Sequence, residues 1–110
     1  MHQKNLWQET SKEKIAFGNL KKSITTDLVV IGGGFTGCSA ALFAAKSGLS
    51  VTLIDQKIGY GGSGRNVGLV NAGLWMPPEK VESILGLDAG SKLNNALASA
   101  PDLVFSLIES

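Results

Sequence analysis

DLVVIGGGFTGCSAALFAAKSGLSVTLID, residues 27–55, decides the fold of this chain. It opens on Asp27-Leu-Val-Val-Ile31, a β-branched run that reads as a short strand buried on both faces. Gly32, Gly34 and Gly37 follow at the spacing G-x-G-x-x-G. The small-residue segment over about 35–47 predicts a helix, with Ala41, Ala44 and Ala45 on its closely packed side. Gly48 stands where a left-handed helix terminator is expected. A second strand, Val51–Ile54, then ends on the acidic Asp55.

This order of strand, glycine turn, helix, helix stop, strand and acid is what dinucleotide binding requires. Gly32 permits the sharp strand-to-helix turn, Gly34 lets the backbone approach a pyrophosphate, and Gly37 removes a Cβ from the helix–strand contact. The N–H groups near Phe35 and Thr36 open the helix, point at the phosphates and gain from the helix dipole. Asp55 falls about 20 residues beyond the glycines, the place of the acid that holds a ribose hydroxyl. A carboxylate there repels the 2′-phosphate of NADP, so the expected ligand has a free adenosine ribose. Glycines that only tighten a turn are the plain alternative. Each, however, costs about 0.5–1 kcal/mol relative to Ala in regular structure, and three in a row need a reason.

Around this unit the composition is that of a globular domain: 110 residues, 44% apolar and 17% charged. A net charge of +1 gives no case for nucleic acid or an acidic membrane. The single cysteine excludes an internal disulfide framework, and no His/Cys cluster suggests a metal site. A reducing, cytoplasmic setting fits best. Two strands alone make a marginal sheet, and a dinucleotide fold needs a third parallel strand beyond the first. The domain is therefore expected to be incomplete, the N-terminal piece of a larger protein.

Residues 1–26 are polar and unpatterned, with Lys4, Lys12, Lys14, Lys21 and Lys22 set against Glu9 and Glu13. They read as a surface arm docked through Trp7 and Phe17. Lys21 and Lys22 before an apolar run, with Phe35-Thr-Gly-Cys38 inside it, faintly suggest export. The long polar lead and the glycines that split the apolar core argue against a signal peptide and against a membrane span. Cys38 reads either as a thiol activated by the helix N-terminus or as a buried packing residue; packing is preferred.

After Asp55 the composition changes. Residues 57–68, KIGYGGSGRNVG, carry too many glycines for a regular helix or strand. Such a loop turns successive N–H groups toward an anion or a flat ring, and Ser63, Arg65 and Asn66 are its strong side-chain donors. A second cofactor-contacting loop is therefore expected, rather than a linker. Together, the 27–55 unit and IGYGGSGRNVGLV resemble the N-terminus of FAD-dependent oxidoreductases of the D-amino-acid oxidase superfamily, in the gamma-glutamylputrescine oxidoreductase-like branch. The resemblance is strong over residues 27 to about 77 and loose over the arm and the final helices. It implies an α/β fold with a Rossmann-like FAD-binding βαβ unit, followed by the Gly-rich loop and amphipathic helices. It also implies FAD as cofactor, with the adenosine at Asp55 and the pyrophosphate at the Gly32, Gly34, Phe35, Thr36 and Gly37 turn. Ser63, Gly64, Arg65 and Asn66 would lie along the pyrophosphate, ribityl and flavin end, with Gly68 near the ring. Asp55 stands where the family more often has Glu, and Val67 where it more often has Gly.

Pro77-Pro78 predict a turn and a short helix over 79–85 stopped by Gly86, with Asp88 capping the next helix. Leu93, Leu97, Ala100, Val104, Leu107 and Ile108 form an amphipathic stripe, and Pro101 either kinks that helix or starts another. Trp75 is read as core rather than as a cover for the cofactor. The expected organisation is an arm over 1–26 and the start of an FAD-binding domain over 27–110, the substrate domain belonging to the remainder of a larger chain. The resemblance implies oxidation of a small-molecule amine or amino acid, with hydride passing to flavin N5 and the resulting imine hydrolysed by water. No residue in view is a credible general base or carboxylate clamp, and Arg65 is assigned to the cofactor. The rivals are an NAD-dependent dehydrogenase module, which has no need of the second glycine loop, and a non-catalytic fragment that retains the motif.

Overall fold

The computed structural model describes residues 5–13 and 16–110; residues 1–4 and 14–15, including Lys4 and Lys14 of the arm, lie outside the described residues. The chain falls into two compact units, Met1–Val67 and Gly68–Ser110.

The first unit holds helix α1 (Leu6–Thr10), strand β1 (Leu28–Ile31), helix α2 (Phe35–Lys46), strand β2 (Val51–Ile54) and a 3₁₀ turn over Ser63–Arg65. β1 and β2 pair in parallel, Leu28 opposite Val51 through to Ile31 opposite Ile54. Parallel neighbours need a crossover, and α2 supplies it. Asp27 ties the open end of the pair: its Oδ2 accepts from the Ser50 amide at 2.9 Å and the Ser50 hydroxyl at 2.6 Å. At the other end the Gly32 amide donates to the Ile54 carbonyl at 2.8 Å. α2 stops as expected. Gly48 has φ +88°, its amide donates to Ala45 O at 3.0 Å, and the Leu49 amide donates to Ala44 O at 3.2 Å, the paired bonds of a glycine-terminated helix.

Three expectations are corrected in this unit. Along β1 burial alternates, and Val29 and Ile31 are 51% and 87% exposed. Side chains alternate between sheet faces, and the face bearing these two is not the one α2 covers. On α2, Gly37, Ala41 and Ala44 are the half-buried stripe, while Ala45 is exposed, being about 100° round the helix from Ala44. The arm is not unpatterned. Asn5 caps α1, its Oδ1 accepting from the Trp7 amide at 3.0 Å, and the Trp7 indole N–H donates to Asn66 O at 2.9 Å. Phe17 stays exposed.

The second unit is a helical hairpin of α3 (Pro78–Leu85) and α4 (Leu87–Glu109), turning at Gly86 with φ +82°. Pro78 takes a first-turn position, where its missing N–H is no loss. The helices touch closely at the buried Gly90, where a Cβ would stand 2.5 Å from Glu82 Cα. The Ser91 hydroxyl and Asn94 amide both donate to Glu82 Oε1, at 3.0 and 3.4 Å. Asp88 is not the cap: α4 starts one residue earlier, behind Gly86, so Asp88 lies in the first turn and pairs with Lys92 at 2.8 Å. Pro101 lies inside one continuous helix and starts no second one. Leu93, Leu97, Ala100 and Leu107 are half-buried, and Val104 and Ile108 are exposed. Trp75, expected in the core, is 96% exposed, in the irregular stretch before α3. Among the described residues no helix is long and apolar enough to cross a membrane.

Candidate functional site

An open cleft of about 390 Å³ lies at the carboxyl end of β1, lined by Val30, Ile31, Gly32, Gly34, Phe35, Thr36, Gly37, Ala40 and Ser63. In open α/β sheets this is where ligands bind. The chain makes the turn because Gly32 takes φ +105°, a conformation closed to most side chains. Gly37 is required by contact: a Cβ there would stand 1.9 Å from the Gly32 carbonyl oxygen. α2 begins beside the cleft, and its first amides have no helical carbonyl four residues back to meet them. Phe35 N–H donates instead to Ser63 Oγ at 3.1 Å. The amides of Thr36 and Gly37 and the Ser63 hydroxyl thus face one space, helped by the positive end of the helix dipole.

Asp55 holds the turn from outside. Its Oδ2 accepts from the Gly33 amide at 2.6 Å and its Oδ1 from the Lys57 amide at 2.7 Å. The Gly33 bond first, then the Lys57 bond, keep this carboxyl below its ordinary value of 3.8. A carboxylate offers about four acceptor positions, so an exposed Asp55 retains capacity for a ligand hydroxyl. Cys38, expected to be buried, is exposed, its thiol donating to Gly33 O at 3.5 Å. It is one residue past Gly37 and so turned off the packed stripe.

The second glycine loop reaches the cleft through Ser63 alone. Gly64 lies so close under the loop that a Cβ would meet Gly59 O at 1.9 Å. The Asn66 carboxamide donates to Ser63 O. The Arg65 guanidinium lies 5.4 Å from the centre of the Tyr60 ring, which also carries the Lys57 ammonium at 4.0 Å. Gly32, Gly34, Phe35, Thr36, Gly37 and Ser63 are therefore brought together. Asp55 stands behind the turn, and Gly64, Arg65 and Asn66 are not among the residues lining the cleft. Gly68 opens the second unit with φ +78°. The residue that sequence reading missed is Asn5, which is 5% exposed and donates both N–H groups to the second loop. Asn5-x-x-Gln8 has the spacing of a capping box and would have marked the start of α1.

Residues 27–108 match the family model described as FAD dependent oxidoreductase. The chain is similar to gamma-glutamylputrescine oxidoreductase of Escherichia coli (strain K12), 30% identical over 104 residues, covering 94% of this chain and 24% of that protein. It is also similar to the probable oxidoreductase OrdL of Rhizobium meliloti (strain 1021), 36% identical over 105 residues, again 94% and 24%. Alpha-glycerophosphate oxidase of Streptococcus pneumoniae serotype 4 is 51% identical over 51 residues, covering 46% of this chain and 8% of that protein. The chain thus spans about a quarter of the length of the first two relatives. No solved structure matches it.

Proposed function

We propose, from the premise that the chain belongs to the FAD-dependent oxidoreductase family, that it holds FAD for the oxidation of an amine or amino acid. The observation that carries this reading is the convergence of the α2 N-terminus and the Ser63 hydroxyl on one cleft. A pyrophosphate needs hydrogen-bond donors without a competing carboxylate, and that is the donor set present. The glycine cradle fits as well: a Cβ on Gly34 would stand 3.0 Å from Ser63 Oγ and fill the approach.

In this reading Gly32, Gly34, Phe35, Thr36 and Gly37 hold the pyrophosphate, and Asp55 adds a ribose hydroxyl to the two amides it already accepts. Ser63, Gly64, Arg65 and Asn66 lie along the pyrophosphate, ribityl and flavin end. The chemistry that FAD supplies when bound is acceptance of hydride at N5 from the carbon bearing the substrate nitrogen. The free edge of β1 in the two-stranded sheet supports a Rossmann-like domain completed by a further strand, and its exposed face supports a covering layer, with substrate groups in the remainder of a larger chain. A cytoplasmic setting belongs to the same reading, since there the exposed Cys38 thiol stays reduced. An amine is favoured over a glycerophosphate because the match to alpha-glycerophosphate oxidase is confined to 51 residues, whereas the gamma-glutamylputrescine oxidoreductase match covers 94% of the chain.

The test is titration of FAD into the full-length protein that carries this sequence, since the two-stranded sheet alone is not expected to hold FAD tightly, followed by flavin fluorescence and by absorbance over roughly 350–500 nm. Saturable binding is expected, weakened about tenfold or more by Asp55→Ala, as for loss of a charge-assisted hydrogen bond. NAD should not compete. Absence of FAD binding sinks the proposal, and preferential NAD binding would replace it with a dehydrogenase module.

A further inference from the structure

We propose that Asn5 is a positioning residue, whose carboxamide latches the second glycine loop and thereby sets Ser63 at the N-terminus of α2. The inference rests on the reading above only for what the loop is positioned toward, the FAD pyrophosphate.

The geometry is specific. Asn5 Nδ2 donates to Gly59 O at 2.9 Å and to Gly64 O at 2.5 Å, while Oδ1 accepts from the Trp7 amide at 3.0 Å. Both donors and an acceptor site of the carboxamide are thus in use. Its orientation follows from its partners, because the flipped amide would set its oxygen against two carbonyl oxygens. At 5% exposure Asn5 is the buried polar side chain of the described residues. Burying such a group is unfavourable unless its bonds are made, so its place depends on the loop as much as the loop depends on it. The loop is costly to order, since residues 57–66 carry four glycines with maximal freedom to lose, and among the described residues its other hydrogen-bond ties to the rest of the unit are at Lys57, Ser63 and Asn66. The two carbonyls that Asn5 gathers flank the segment that contains Ser63. Ser63 in turn accepts from Phe35 N–H at 3.1 Å. The path from Asn5 through Gly64 to Ser63 and the α2 N-terminus is continuous.

The experiment compares Asn5→Asp and Asn5→Ala with the parent in the full-length protein that carries this sequence, by amide exchange without flavin and by FAD titration. Asn5→Asp keeps the acceptor that caps α1 but replaces both donors with charge. Asn5→Ala removes the donors without adding charge. In both variants exchange over residues 59–66 is expected to rise about tenfold relative to β1 and β2, and FAD to bind several-fold more weakly. As the pH falls from about 7 to about 5, the Asp variant regains an O–H donor through protonation, raised by the facing carbonyls. Its exchange relative to the parent should then fall back, whereas that of the Ala variant should not. Unchanged exchange over 59–66 in both variants overturns the latch. Raised exchange with unaltered FAD affinity overturns the positioning role. A parent that binds no FAD defeats the functional reading and the positioning role together, while the exchange data still decide the latch.

Discussion

The two glycine loops of the first unit are held in opposite senses. The turn after β1 is held by an acceptor: Asp55 takes the Gly33 amide from 22 residues away. The loop after β2 is held by a donor: Asn5 takes the carbonyls of Gly59 and Gly64 from 54 and 59 residues away. The difference matters for an anionic ligand. Asp55 uses up one amide but stands behind the turn, leaving the helix amides to the cleft. Asn5 gathers two carbonyls away from any ligand, so fewer negative dipoles oppose a phosphate. The first loop is closed from within its own βαβ unit, and the second depends on an element from outside it.

The strongest way to break this comparison is to place the same clash in each loop. A Cβ on Gly37 and a Cβ on Gly64 would each stand 1.9 Å from a backbone carbonyl oxygen. In Gly37→Ala the gain in helix propensity is about 1 kcal/mol, while forcing apart β1 and α2 costs about 3 kcal/mol or more, so the clash wins. Cooperative unfolding should be lost or much weakened. Gly64→Ala should instead free residues 59–66 and leave the amides of β1 and β2 protected. Denaturant unfolding with residue-resolved exchange reads both variants. A global loss in Gly64→Ala would show that the second loop is part of the first unit's core.

A smaller effect should separate the loops by pH. Asp27 and Asp55 are both held below the ordinary 3.8, Asp27 by the Ser50 hydroxyl and then its amide, Asp55 by the amides of Gly33 and Lys57. A lowered folded value means that the unfolded state binds protons first as pH falls. The contribution to stability is fully present above 3.8 and is lost as pH drops through the lowered folded values. The carboxamide of Asn5 does not titrate. Acidification below 3.8 should therefore release the Gly33 and Lys57 amides before the 59–66 loop, and Asp55→Asn should abolish that acid step. Simultaneous release of both loops well above pH 3.8 would refute the separation.

The same contrast explains what was legible in the sequence. The βαβ order, the strand Val51–Ile54 and the Gly48 stop arise from patterns within a few residues, where periodicity and backbone sterics act directly. The grouping of Gly32, Gly34, Phe35, Thr36 and Gly37 around one cleft follows from the same local geometry. Asn5 was not legible as a latch because its partners are more than 50 residues away and are main-chain carbonyls, which carry no side-chain signature. Cys38 and Trp75 were misread by residue type: both are commonly buried, but Cys38 stands off the packed stripe of α2 and Trp75 lies within residues 67–80, which are exposed throughout. Asp88 was missed as a first-turn residue because a glycine, with no side chain to recognise, occupies the cap.

The smallest expected effect sharpens the account of the second loop. Trp7 adds one hydrogen bond to it, from the indole N–H to Asn66 O at 2.9 Å, at an exposed position. Trp7→Phe removes that donor and keeps an aromatic side chain over the same surface. Water can replace the lost partner, so the change should cost about 0.5–1.5 kcal/mol, the net value of one ordinary hydrogen bond. Asn5, by contrast, makes two part-buried donor bonds from a side chain that is only 5% exposed, where water is a poorer substitute. Exchange over residues 59–66 should therefore rise only a few-fold in Trp7→Phe, with the α1 amides unchanged because Asn5 still caps that helix. If Trp7→Phe loosens the loop as much as Asn5→Ala does, the indole rather than the carboxamide is its principal tie, and the path to Ser63 must run through Asn66.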